Sequence, residues 1–192
     1  MFKTQIKIQR ILCLVALICS ALTFVYALGI MTDVYNLYGP LGIPVPEVKG
    51  ATLYNDMQPF NKTLIAVSIA LILIAVVLFI TNTHSRRKYY IGNYVAVGLY
   101  TGASLASTIW AYINISKFRA AFLQVDFEAW KQWAELWKGS YSESTFWFDI
   151  GYVVFALTIV MSVLLILNVF WKISLVKQER QLIEQGKANN QG

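Results

Sequence analysis

Few side chains in this 192-residue chain are placed to do chemistry. Gly102-Ala103-Ser104-Leu105 has the GxSx spacing of an intramembrane serine nucleophile. A serine needs a base to take its proton, and no His or Lys lies in the surrounding apolar run. Cys13 and Cys19 are the only cysteines. Six residues apart on a helix, they point about 240° apart and cannot pair with each other. They are expected as small core residues. His84 is the only histidine, so no zinc or haem site is expected from it. Asp126, Glu128 and Asp149 are the only plausible catalytic acids for an envelope or lipid substrate. Glu128, with Glu135, also fits the polar face of a helix. No catalytic, cofactor or metal residue is assigned, and the protein is expected not to be an enzyme.

The elements that would hold these residues are unusually apolar. Apolar residues make up 57% of the chain and charged residues only 14%, against about 25% charged in soluble domains. The excess falls into blocks long enough to cross about 30 Å of hydrocarbon. An all-α membrane protein follows, as a single domain over 1–192 with short cytoplasmic tails. Its four transmembrane helices are expected at about 11–31, 62–81, 91–115 and 148–171. Strands of a barrel would alternate polar and apolar residues, and these blocks do not. The basic start followed by an apolar run also resembles a signal peptide, with Val25-Tyr26-Ala27 as a cleavage site. A signal core is typically 7–15 residues long, so an uncleaved first span is expected.

Charge sets the orientation. Lys3, Lys7, Arg10, Arg86, Arg87, Lys88, Lys172, Lys177, Arg180 and Lys187 flank one side, against Glu179 and Glu184. That side is +8; the two long loops are −2, completing the net charge of +6. The positive-inside rule puts both termini in the cytoplasm, in a multi-pass protein of the cell membrane. Topology and anionic lipid account for the basic residues, so no nucleic-acid partner is expected. The layout resembles that of claudin-like and tetraspanin-like proteins, but the loops hold no cysteine and no signature motif carries over.

Two segments could meet a partner. Gly98, Gly102 and Ala106 form a small-residue ridge on the third span, which lets helices approach closely. It is expected to pack inside the protein's own bundle or, alternatively, against a second copy or another membrane protein. Residues 117–138 form an amphipathic helix, expected to lie on the outer leaflet or over the bundle with Trp130, Trp133 and Trp137 as outer-surface anchors. The first outer loop contains every proline, among them Pro59, and should be a stiff connector; Tyr35, Tyr38, Tyr54 and Phe60 are its candidate anchors. Within these spans the blocks 11–31, 64–80, 91–115 and 150–171 contain no Asp, Glu, Lys, Arg, His or proline, which weighs against an ion-coupled transporter. Taken together, these features suggest an accessory or assembly subunit of a membrane transporter or envelope complex. The alternative is a small channel or facilitator for an uncharged solute.

Overall fold

A computed structural model describes residues 2–37, 48–84, 91–136 and 143–189. These residues are helical and contain no strand: α1 (Phe2–Gly29), α2 (Leu53–His84), α3 (Ile91–Phe122), α4 (Phe127–Leu136) and α5 (Phe146–Asn189), with two short 3-10 turns after α1. The helices α1, α2, α3 and α5 form a square, in which α1 packs on α2 and α5, and α3 on the same two. The sides of the square join neighbours in the chain, as up-and-down connections require, and α1 closes on α5.

Threes and fours in the spacing of buried residues show why the helices pack this way. On α2 the buried series is Leu53, Met57, Phe60, Leu64, Ser68, Leu71, Ala75 and Leu78. On α1 it is Gln5, Gln9, Cys13, Ala16, Ser20, Thr23 and Ala27. Such spacing keeps one stripe of each helix against its neighbours. The stripe is more polar than the face it leaves outside. On α1, Ile11, Leu14, Ile18, Leu22 and Val25 are exposed while two glutamines and three hydroxyls are buried. Water would drive the opposite arrangement. In hydrocarbon, polar groups turn inward and apolar side chains face the lipid.

Among the described residues, three helical stretches are long and apolar enough to cross a membrane: Lys3–Thr32, Leu53–Asn82 and Phe146–Gly186. α3 is as long as α2, at 32 residues. Its glycines, serines, threonines and asparagines dilute its hydropathy.

The observed helices run past the expected spans. α1 begins at Phe2 and carries the basic amino-terminal residues on helix. α2 starts at Leu53, so Leu53–Asn61 is helix rather than connector, with Pro59 inside it. The buried positions Leu53, Met57, Phe60 and Leu64 explain this, since packing outweighs one lost backbone donor. α5 continues to Asn189, well past the fourth span. The amphipathic segment 117–138 divides in two. Residues up to Phe122 belong to α3, and α4 begins only at Phe127. Asp126 places that start by accepting the Ala129 N–H at 3.0 Å, an N-cap bond.

At the loop end of the bundle, Tyr26, Ile30, Met57, Phe122, Trp130 and Phe148 belong to one buried apolar cluster. Gly50, at φ 89°, turns the chain into α2 and lies against Val125, where a Cβ would clash. The Asp126 N–H bonds the Lys49 carbonyl at 3.3 Å, joining the two long loops. Asp33 reaches over to α5, accepting the Trp147 and Phe148 N–H groups at 2.7 and 3.3 Å. These are among the orphan donors of a helix start. Burial pushes the Asp33 carboxyl above its ordinary value, and the two N–H bonds offset only part of that rise. Asp33→Ala is expected to lower stability by about 1–2 kcal/mol, the usual cost of a lost cap. Thermal unfolding of the purified chain checks it; an unchanged midpoint would show the contact is idle.

Candidate functional site

α3 is the element with two distinct faces. Its buried face carries Asn93, Tyr100, Thr101, Ser104 and Thr108. Its outward face carries Val95, Gly98, Leu99, Gly102, Ala106, Ile109 and Ile113.

The buried face is a hydrogen-bonded seam. Tyr100 donates its hydroxyl proton to the Ala16 carbonyl at 2.9 Å, across the diagonal of the square, and its oxygen lies 3.1 Å from Ser20 Oγ. Ser104 Oγ lies 2.7 Å from Ser162 Oγ on α5 and 3.2 Å from the Thr101 carbonyl. The residue that matched a nucleophile pattern is therefore a helix-to-helix link. Cys13 and Cys19 are buried and free, in the apolar cluster with Tyr100, Leu78 and Leu165.

At the end nearer the chain termini the seam closes in an amide cluster. Gln5 Nε2 donates to Gln9 Oε1 at 3.0 Å and to Asn168 Oδ1 at 2.9 Å. Gln9 Nε2 donates to Asn93 Oδ1 at 2.6 Å, and Lys172 Nζ donates to the same oxygen at 3.1 Å. All five residues are buried. The Lys172 amine also lies 4.6 Å from the centre of the Tyr94 ring, a cation–π distance. Lys172 was expected in the cytoplasmic flank, just past the fourth span. Instead it occupies the next inward position after Leu165 and Asn168, with Leu175 beyond it. The spacing on α5 held that signal; a count of charges in the flanks passes over it. Gln5 Oε1 and Asn93 Nδ2 have no hydrogen-bond partner among the described residues.

The outward face holds the predicted ridge. Gly98, Gly102 and Ala106 are all exposed, and a Cβ on either glycine would meet nothing within 4 Å. Packing of this ridge inside the protein's own bundle is therefore incorrect. The inward side of α3 is taken by larger groups that hydrogen-bond, which turns the ridge away. Close helix approach is made by two other glycines. A Cβ on Gly29 would run into the Trp147 ring, and one on Gly151 into the Tyr26 hydroxyl. Neither belongs to a GxxxG pattern; the signal is a glycine opposite a bulky ring, visible only once the helices are paired.

Trp130, expected as an outer-surface anchor, is fully buried. α4 turns this side chain inward to cap the apolar cluster, because its rotation follows the Asp126 cap and the break after Phe122. The side chain of Trp133 and all of Trp137 lie outside the described residues, as do the His84 side chain, Tyr38 and Arg86–Lys88. Phe60 is packed between Trp110 and Phe118, at ring distances of 5.0 and 5.5 Å, and Tyr35 meets Tyr54 at 6.4 Å. Of the three acids, Asp126 caps α4. Asp149 bonds Thr145 at 2.7 Å and Arg119 at 3.0 Å, while Glu128 stands in the first turn of α4. An open groove of about 650 Å³ at the loop end is lined by Leu28, Met31, Tyr35, Phe146 and Trp147, with Asp33 at its edge. Among the described residues no three His, Cys, Asp or Glu side chains converge on a possible metal position.

The fold and its inverted polarity define a helical membrane protein, with at least three helices able to span. No family model, curated protein or solved structure matches the chain.

Proposed function

We propose that the protein is a non-enzymatic, multi-pass protein of the cell membrane that serves as an accessory or assembly subunit of a membrane transporter or envelope complex. In this reading α3 is a fourth span. It lacks Asp, Glu, Lys, Arg and His from Ile91 to Ser116 and packs along α2 and α5 as its neighbours do. The +8 charge of one flank supports cytoplasmic termini. The observation that carries the assembly role is the outward ridge at Gly98, Gly102 and Ala106. It is bare on the face that would meet lipid, where small residues gain little alone but let a second span come close.

The facilitator alternative would draw on the hydroxyls of the bundle interior. Thr23, Thr101, Thr158 and Ser162 instead bond carbonyls one turn back on their own helices, at 2.8–3.0 Å. A void of about 10 Å³ between Thr23, Leu71, Thr108 and Phe155 is at the lower limit for one water.

The test is the Gly98→Leu, Gly102→Leu double variant, tagged and purified from native membrane in mild detergent. Recovery of a stoichiometric membrane partner is expected to fall about tenfold or more. Thermal stability should hold or rise, since Leu is a better helix former than Gly by about 1 kcal/mol. Unchanged recovery would overturn the reading. So would a homo-oligomer lost in the variant, because a second copy would then occupy the ridge.

A further inference from the structure

Where α3 begins, it and α5 leave a groove of about 380 Å³ between them. Its walls are Ile91 and Tyr94 of α3 and Ile173 and Val176 of α5, and Lys177 and Arg180 complete the lining. Both basic side chains are exposed. Behind the groove, the ring of Tyr94 carries the buried Lys172 amine on its π face. In the chain, Arg86, Arg87 and Lys88 come just before Ile91. Among the described residues no acidic side chain lines the groove.

We infer that this groove binds one anionic phospholipid, its phosphodiester on Lys177 and Arg180 and an acyl chain against Ile91, Ile173 and Val176. The charge complementarity selects an anion. A guanidinium can take two phosphate oxygens at once, and an ammonium adds a point charge. The apolar walls select a lipid over a free phosphate. From Ile91, one and two turns along, Val95 and Leu99 are exposed, and Phe170 is exposed one turn from Ile173. An acyl chain can follow these side chains toward the middle of the bundle, where a soluble anion would gain nothing. Basic pockets between spans at the cytoplasmic face are suited to such headgroups. The inference rests on the membrane orientation proposed above and not on the identity of any partner.

Native mass spectrometry of the full chain in neutral detergent tests it, with phosphatidylglycerol and phosphatidylcholine titrated in parallel. The wild-type chain is expected to retain phosphatidylglycerol about tenfold or more over phosphatidylcholine. Lys177→Gln with Arg180→Gln should bring the two within about twofold. Lys62→Gln with Lys117→Gln, exposed and at the loop end, should leave the preference intact. Equal retention by the wild type would overturn the inference, as would a preference that survives in the Lys177, Arg180 variant. Displacement of phosphatidylglycerol by an equal concentration of sn-glycerol 3-phosphate would also overturn it, since the apolar walls would then contribute nothing. No partner is present in this measurement, so its failure would leave the assembly reading standing, and a failed partner recovery would leave the lipid result standing.

Discussion

Trp130→Ala is expected to lower stability by about 3–5 kcal/mol, the cost of emptying a fully buried aromatic site. Trp130 is the largest fully buried side chain among the described residues and belongs to the cluster that also holds Met57, Phe122 and Phe148. Its removal leaves a cavity at the point where α4 closes the loop end. Leu123→Ala, at a side chain 59% exposed, should change stability by about 0.5 kcal/mol or less. Equilibrium unfolding of the detergent-solubilised chain, followed by helical circular dichroism, separates the two. If Trp130 were an anchor in the lipid interface instead, both variants would unfold near the wild-type midpoint and its core role would be refuted.

Asn93→Leu is the second large effect, expected at about 2–3 kcal/mol. Asn93 Oδ1 is the acceptor for both Gln9 and Lys172, so one substitution strips a buried amine and a buried amide of their partner. Hydrogen bonds to charged groups contribute about 1.5–3 kcal/mol, and a donor left buried without an acceptor costs more than the bond itself was worth. Interhelical polar bonds in membranes average less than this, because the reference state also finds partners. The shared acceptor and the buried amine place Asn93 toward the upper end. Lys172→Met should cost less, since it removes the amine rather than stranding it. In the Lys172→Met background, Asn93→Leu should cost about 1 kcal/mol, giving a coupling of about 1–2 kcal/mol in the double-mutant cycle. Strict additivity would show that the amine does not depend on this oxygen.

Much of the helical content was legible without coordinates. Long uncharged runs dictate helices in a solvent that cannot bond the backbone, and Cys13 and Cys19 were recognisable as core by type alone. One error of extent has a clear cause. Pro59 was taken as part of a connector, yet Leu53, Met57 and Phe60 continue the inward register of α2. Tertiary packing extends a helix beyond its apolar block wherever the stripe still has something to touch.

The direction of each face was decided elsewhere. α3 has small residues on both sides, so their pattern does not say whether Gly98 and Gly102 look inward or outward. Bonds from Tyr100 to Ala16 and from Ser104 to Ser162 turn them out. Likewise Gly29 and Gly151 matter because Trp147 and Tyr26 stand opposite them, and Asp33 caps a helix that begins more than a hundred residues later. From sequence alone came the class of protein, the helices and the charge asymmetry, because each follows from local composition. The rotation of each helix, the burial of Lys172 and Trp130, and the exposure of the ridge came from tertiary structure. A helix forms through bonds within itself, but which way it faces depends on its neighbours.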